Sequence, residues 1–339
     1  MDFEKAKQLL PGYNNVKRKA AMEQRTKSAI AQLAEYGQDW ENAESRLRDL
    51  LTLVPDDAIG NERLARSLFW QGKARDAYET LKKATKLDRE NSKNNKTSEV
   101  FPAPEAIMAQ YYEEFEGLQS ENPEVWFRYA LKTAPNDVRT RQAVAAWALR
   151  KGKPAVAKEQ AAAAAHLNKD TISDLLFGLV AMSEKNWLEA EKRFERVLTR
   201  DPSNLAVKCN LARALVEQKD ATKTQRAVEY AEALWRDAPS DPDVLSTLAC
   251  IYFRRGQFDR AGLALDHVLK AAAGNLNPDM ATYLAHVLCR QEKWREAQEI
   301  LDGILANQRE FSMRSEAETL YEKVSRAVRP QTSPCLTPP

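Results

Sequence analysis

Glycine, proline and cysteine are scarce in this chain, with 11, 15 and 4 residues among 339. So few glycines and prolines disfavour folds that need many tight turns. The four cysteines, Cys209, Cys250, Cys289 and Cys335, follow neither the spacing of a metal site nor that of a compact disulfide framework. Their pattern indicates a reducing compartment, and it predicts no metal and no cofactor.

Long apolar runs are also missing. No stretch approaches the roughly 18 uninterrupted apolar residues of a transmembrane helix. The first 24 residues contain no apolar core long enough for a signal peptide. We therefore expect a cytoplasmic protein with no membrane span, unless the chain was cut from a longer precursor.

Neither sign of charge dominates. Lysine and arginine number 51 and aspartate and glutamate 49, so the formal net charge is +2. Binding to nucleic acid without sequence preference requires a concentrated basic surface, and no long basic run is present. The composition therefore disfavours nucleic acid as a partner.

Catalytic motifs are absent from the sequence. The three histidines, His166, His267 and His286, do not form a pair with metal-ligand spacing. The chain contains neither a GxxxxGK[ST] phosphate loop nor a GxSxG nucleophile elbow. We therefore expect a protein that is not an enzyme and has no catalytic residues.

Helix-forming residues fill the chain instead, and they recur in a repeating arrangement. Residues 177–202 show two stretches of helical periodicity joined by a short polar turn. The first stretch carries Phe177, Gly178 and Ala181, and the second carries Trp187, Ala190, Phe194 and Val197 ahead of Pro202. Copies of this arrangement occur before and after it, so the chain contains an internal repeat.

A small residue in the second stretch of each copy makes the period countable. It falls at Ala43, Ala77, Ala157, Ala190, Ala227, Ala261 and Ala297. The intervals are 34, 80, 33, 37, 34 and 36 residues. The interval of 80 has room for one further repeat of irregular length.

A helix–turn–helix period near 34 residues resembles the tetratricopeptide repeat family, over roughly Lys27 to Gln308. The resemblance implies an all-α fold, a right-handed superhelical solenoid of antiparallel helix pairs. It implies about eight repeats, one of them irregular, with a C-terminal capping helix. The sequence departs from the family pattern in two ways. Glu184, Glu292 and residues 219–225 stand where a turn glycine is usual, and Pro123 stands in place of a small residue.

The sequence predicts three regions. Residues 1–22 are interpreted as an N-terminal helical cap. Residues 24–329 form the repeat array, with a polar insertion near 91–104 and a capping helix at 310–329. Residues 330–339, rich in proline, are interpreted as a disordered tail.

The resemblance implies that the first helices of the repeats line a concave groove. The residues predicted to face it are Ile172, Leu175, Leu179, Met182, Cys209, Arg213, Val216, Ser246, Cys250, Phe253, His286 and Arg290. The groove is then apolar at its centre, which favours a peptide, a helix or another protein as partner. The cysteines of this set are interpreted as packing residues, with a shared metal or redox site as the alternative.

The leading hypothesis is thus a non-catalytic scaffold for protein–protein interaction. An RNA-binding helical repeat protein is the first alternative, and it requires a basic face lined with aromatic side chains. A docking or regulatory region of a larger enzyme is the second. Homo-oligomerisation through the groove or the capping helix stays open.

Overall fold

The computed structural model describes residues 16–95, 100–115, 122–168, 170–271, 276–306, 311 and 313–328. These residues form seventeen α-helices and no strand, which confirms the all-α prediction. The helices are α1 (Val16–Tyr36), α2 (Trp40–Leu53), α3 (Ala58–Trp70), α4 (Ala74–Asn95), α5 (Pro104–Glu114), α6 (Pro123–Thr133), α7 (Val138–Arg150), α8 (Pro154–Leu167), α9 (Thr171–Ser183), α10 (Trp187–Arg200), α11 (Leu205–Glu217), α12 (Ala221–Asp237), α13 (Pro242–Arg254), α14 (Phe258–Ala271), α15 (Pro278–Arg290), α16 (Trp294–Leu305) and α17 (Arg314–Val328).

The chain divides into two compact units. The first unit comprises residues 1–144 and 163–168, and the second comprises 145–162 and 169–339. In the first unit α1 packs on α2, α3 on α4 and α5 on α6. In the second unit α9 packs on α10, α11 on α12, α13 on α14 and α15 on α16. Sequential helices therefore form pairs, as the repeat predicted.

The small residues of the repeat lie where the helices of a pair meet. The seven alanines that set the period are all fully buried, at 0% exposure. Gly178 on α9 is the extreme case, because a Cβ there would lie 2.5 Å from the ring of Phe194 on α10. Phe194 is itself fully buried. The helices approach this closely only because the side chain is missing.

The turn between paired helices requires one residue in the left-handed region. Glycine occupies this position at Gly72, Gly152 and Gly256, and Gln38, Lys185, Lys219 and Glu292 occupy it elsewhere. The prediction was right for Glu292 and for the segment starting at Lys219, but it was wrong for Glu184. Glu184 caps α9 with φ −82°, and Lys185 takes the left-handed conformation at φ 56°. The Asn186 N–H then reaches back to the Ala181 carbonyl at 2.8 Å, which reverses the chain one residue later than expected.

A polar clasp, defined here as the contact between the residue after the period alanine and the turn of the next repeat, joins consecutive repeats. In the first unit it consists of Glu44, Gln71 and Lys73. Glu44 Oε2 accepts from Gln71 Nε2 at 3.0 Å and from Lys73 Nζ at 2.8 Å, and Lys73 also donates to Gln71 Oε1 at 2.7 Å. The carboxylate side chain is only 14% exposed, whereas that of Lys73 is 45% exposed.

The second unit contains the same clasp and a reversed one. Glu191 accepts from Gln218 Nε2 at 2.8 Å and from Lys223 Nζ at 2.6 Å. At the preceding junction the charges are exchanged, since Lys158 Nζ donates to Glu184 Oε1 at 2.9 Å. The clasp is absent after Ala227 and Ala261, where the next residues are Val228 and Gly262.

The clasp in the first unit predicts a pH effect. Burial opposes the charge on Glu44, but hydrogen bonds from Lys73, Arg48 and Gln71 outweigh it and lower its pKa from 4.5 to about 2. A carboxylate with a lowered pKa adds stability above pH 4.5 that is lost as the pH falls towards 2. We expect Glu44→Gln to reduce the free energy of unfolding by about 2 kcal/mol at neutral pH, after allowing for its exposed partners. In urea titrations the wild type and the variant should converge near pH 2, and a constant difference at all pH values would contradict this.

The last helix, α17, packs against α15 and α16 and buries Ala317, Leu320 and Val324. The N-terminal cap and the polar insertion lie partly outside the described residues, and the tail at 330–339 lies wholly outside them. The predicted boundaries of these regions stay predictions.

Candidate functional site

The predicted partner-binding residues lie on four helices of the second unit, α9, α11, α13 and α15. We call the side of these helices that carries them the first-helix face. Helix α11 contacts α13, α13 contacts α15, and α15 contacts α17. The first helices α11, α13 and α15 therefore lie side by side. Helix α9 joins them through the side chains that it packs on the same core cluster.

An apolar stripe runs along α9. Its members are Ile172, Leu175, Leu179 and Met182, at steps of three, four and three residues. Ile172 is 39% exposed. The other three are half-buried and pack with one side against the core of the unit. The core thus holds the stripe in place, and its exposed side still offers apolar surface to a partner.

Five other predicted residues are buried. Cys209, Val216, Ser246, Cys250 and Phe253 are each at most 9% exposed. Burial raises the pKa of the Cys209 and Cys250 thiols, which therefore stay protonated at neutral pH. These side chains form the layer beneath the face, and a partner resting on the face would not reach them directly.

The cysteines do not converge on a shared site. Cys250 Sγ lies 3.4 Å from the hydroxyl of Tyr283 on α15. Cys209 and Cys289 are buried on α11 and α15. Throughout the described ranges, no group of three or more His, Cys, Asp or Glu residues is arranged to hold a metal ion.

Arg213 supplies an unpaired positive charge on α11. Its Nε donates to Thr247 Oγ1 at 3.1 Å, and its Nη2 donates to the Asp243 carbonyl at 3.3 Å. These bonds fix the guanidinium across the junction of α11 and α13. Within the part of the chain that the structure describes, the guanidinium forms no ion pair with a carboxylate. It can therefore bind an acidic group from outside.

A charged network links α11, α13, α15 and α17. Arg254 Nε donates to Glu217 Oε1 at 2.6 Å, and its Nη1 lies 4.0 Å from Glu316 Oε2. His286 Nε2 lies 3.2 Å from Glu316 Oε1. The neighbouring His286 ring lowers the pKa of Glu316, and the charge of Arg254 lowers it further. The network keeps Glu316 ionised and connects the last helix to the face.

Sequence reasoning missed the two acidic members of this network. Glu217 directly follows Val216 and is the last residue of the same helix. The sequence could therefore have indicated that it lies near the predicted residues. Glu316 lies on α17, outside the repeat pattern. No local pattern indicates its contact with His286, because the contact depends on how α17 packs.

Arg290 occupies the end of the face. It is exposed, and its guanidinium lies 4.6 Å from the ring centroid of Phe258, at the start of α14. This cation–π contact holds the side chain beside the turn region. Arg290 is therefore an edge residue, whereas Arg213 lies farther within the row of helices.

The corresponding helices of the first unit carry a different surface. Tyr111 Oη donates to Glu62 Oε1 at 2.6 Å, and Arg66 pairs with Glu114 at 2.9 Å. Phe69 is 1% exposed. Since these polar groups bind each other and the large apolar side chain is buried, the second unit is the stronger candidate.

Comparisons with known proteins support the tetratricopeptide repeat pattern. The family model for the TPR domain of cytochrome c-type biogenesis protein H matches residues 162–275, about a third of the chain. No protein among the curated sequences matches this chain. A tetratricopeptide repeat protein from Parabacteroides merdae is similar in structure, with a TM-score of 0.51 and 14% identity, over 78% of this chain and 98% of that one. The human IFIT1 dimer with m7Gppp-AAAA has a TM-score of 0.56 and 14% identity, over 89% of this chain and 76% of that one.

At such low identity these structures establish the fold and nothing more. The paired helices, the buried small residues and the matching domain together define a helical repeat protein. Residues 162–275 match a tetratricopeptide repeat domain, and the chain has the fold of tetratricopeptide repeat proteins. None of the described helices is long and apolar enough to cross a membrane.

Proposed function

We propose that the protein is a non-catalytic scaffold that binds a protein partner on the first-helix face of its second unit. The observation that carries the proposal is the apolar stripe on α9, which stays accessible from Ile172 to Met182 although it lies against the core. Helical repeat proteins present such surfaces to other proteins. The cytoplasmic location and the absence of catalysis stay predictions.

The chemistry of the face favours a segment with an apolar side and an acidic group. The stripe offers contacts at helical spacing, which suits an amphipathic helix or an extended apolar peptide. Arg213 lies on the neighbouring first helix with its charge unmatched. A carboxylate on the partner would neutralise it and fix the orientation of the bound segment.

RNA is a weaker match to this face. Single-stranded RNA requires several cations for its phosphates and exposed rings for its bases. Here Arg254 is paired with Glu217, and Phe253 is buried. The human IFIT1 structure with m7Gppp-AAAA shares only the fold with this chain, so its ligand does not transfer.

We expect Ile172→Glu to abolish partner capture without unfolding the protein, because Ile172 is the most exposed member of the stripe. Leu179→Glu is a less selective test, since Leu179 also packs against the core. Leu188→Glu is the matched control. It makes the same change at a residue on α10 that is 51% exposed and outside the face.

The measurement is an affinity capture from native lysate with quantitative mass spectrometry and a nuclease-treated parallel. A protein retained by the wild type and by Leu188→Glu, but reduced at least about tenfold by Ile172→Glu, supports the proposal. Circular dichroism establishes that the three proteins have equal helix content. Equal capture by all three would place binding elsewhere, and recovery that depends on intact RNA would favour the nucleic-acid alternative.

A further inference from the structure

A groove of 640 Å³ lies between α14, α15 and α16, apart from the first-helix face. Its floor is apolar and includes Leu263, Leu284, Val287 and Ile300. Leu263 is 65% exposed. An apolar floor with so large an exposed side chain is a surface that a partner can cover.

The polar clasp is missing at the junction that carries this groove. The residue after the period alanine is Gly262, where Glu44 and Glu191 stand in the clasped repeats. A Cβ at Gly262 would lie 3.2 Å from Val287 Cγ1, so α14 approaches α15 closely. Gln291, which corresponds to Gln71, lines the groove, and the residue facing it after the period alanine is a glycine in place of the clasp glutamate. The polar bridge is thus replaced by open apolar surface.

Acidic side chains stand on both sides of the floor. Asp259 and Asp266 line the groove from α14, and Glu296 and Glu299 line it from α16. Among the described residues that line it, the one basic side chain is Lys293, whose Nζ lies 3.9 Å from Glu296 Oε2.

Three of these carboxylates have no counter-charge. Across the described ranges Asp259, Asp266 and Glu299 form no ion pair. The residues that line the groove therefore carry a formal charge of −3, four acids against one lysine. Like charges on facing helices repel one another, and a bound cation would relieve this repulsion.

We propose that the α14–α16 groove binds a basic amphipathic helix from another protein. The apolar side of that helix would cover Leu263 and its neighbours, while lysines or arginines on its flanks would meet the acids of α14 and α16. This site is independent of the first-helix face, so the protein can hold two partners. One residue, the glycine after the period alanine, stands at this junction where the clasped ones have a charged residue.

The test uses a fluorescein-labelled synthetic helix of about 15 residues, the length at which isolated helices begin to form, with leucine on one side and lysine on the other. A peptide with glutamate at every lysine position is its control. Fluorescence anisotropy on the full chain measures both affinities. We expect the basic peptide to bind at least about tenfold more tightly than the acidic one, and to weaken as salt is added.

The matched variants change charge inside and outside the groove. Asp266→Lys with Glu299→Lys should weaken binding of the basic peptide at least about tenfold. Glu232→Lys with Asp237→Lys makes the same net change on exposed positions of α12 and should change the affinity less than about twofold. Leu263→Ser leaves the charge intact, is expected to fold normally because Leu263 is exposed, and should also weaken binding.

Three results would overturn the proposal. Equal binding of both peptides would show that the acids do not select the partner. Unchanged affinity in both the groove double variant and Leu263→Ser would place the peptide elsewhere. If the wild type alone forms dimers in sedimentation experiments, and the groove double variant disperses them, the occupant is a second copy of this chain.

Discussion

Replacing Gly178 with alanine is expected to destabilise the second unit by about 1–2 kcal/mol. Alanine in a helix interior is otherwise favoured over glycine by about 1 kcal/mol. At Gly178 the added Cβ would lie 2.5 Å from Phe194 Cε1 and 2.8 Å from Cδ1. Because Phe194 is fully buried, its ring has no free space, and overpacking of this kind costs about 1–3 kcal/mol. Urea unfolding followed by circular dichroism measures the net loss.

Two controls isolate the clash. Gly303→Ala on α16 adds the same methyl group where nothing lies within 4 Å, so it should raise stability by up to about 1 kcal/mol. Combining Gly178→Ala with Phe194→Leu should cost less than the two single changes together, because the smaller side chain makes room for the methyl group. Equal effects of alanine at Gly178 and Gly303 would refute the steric explanation of the repeat's small positions.

Reversing the charge of Glu191 is expected to have the largest effect of any single change in the polar clasp. Its side chain is 8% exposed and receives Lys223 Nζ at 2.6 Å and Arg226 Nη1 at 3.2 Å. Glu191→Lys would place three cations together in a shielded site. Loss of one partner from a buried ion pair costs about 3–5 kcal/mol. Since Lys223 and Arg226 can still turn towards water, we expect a loss of about 3 kcal/mol in urea unfolding.

A second change should restore part of this loss. Lys223→Glu in the Glu191→Lys background restores a pair of opposite charges with the lysine on the preceding repeat, the same order of charges as in Lys158 and Glu184. We expect it to recover at least about half of the lost stability, as coupled charge pairs do in double-mutant cycles. Glu232→Lys, an exposed reversal on the same helix as Lys223, should change stability by less than about 0.5 kcal/mol. If the second change restores no stability, the ion pair is not what stabilises the clasp.

The fold was predictable because its determinants are local and periodic. Seven alanines at nearly regular intervals identified the helix pairs, and all seven are buried. The misplaced turn residue shows the limit of this reasoning. Glycine marks the left-handed position where it occurs, but Lys185 carries no such mark. Only the backbone geometry distinguishes it from Glu184.

The candidate site was harder to predict from the sequence than the fold. Periodicity places Leu179, Cys250 and Phe253 on one side of their helices, but it does not give their depth. Cys250 and Phe253 are covered by neighbouring side chains, including Tyr283 from the next repeat. The acidic groove was missed altogether, since its charges come from two separate helices and the glycine that lines it stands outside the family pattern.

The reversed clasp has a consequence for how such arrays grow by duplication. Glu44 and Glu191 accept from the glutamine and lysine of the following repeat, whereas Lys158 requires the carboxylate of Glu184. A repeat carrying Lys158 and placed ahead of a turn like that of Gln71 and Lys73 would set lysine against lysine. A copied or transplanted unit would therefore fit only some neighbours. The clasps therefore restrict which repeats can be neighbours in the chain.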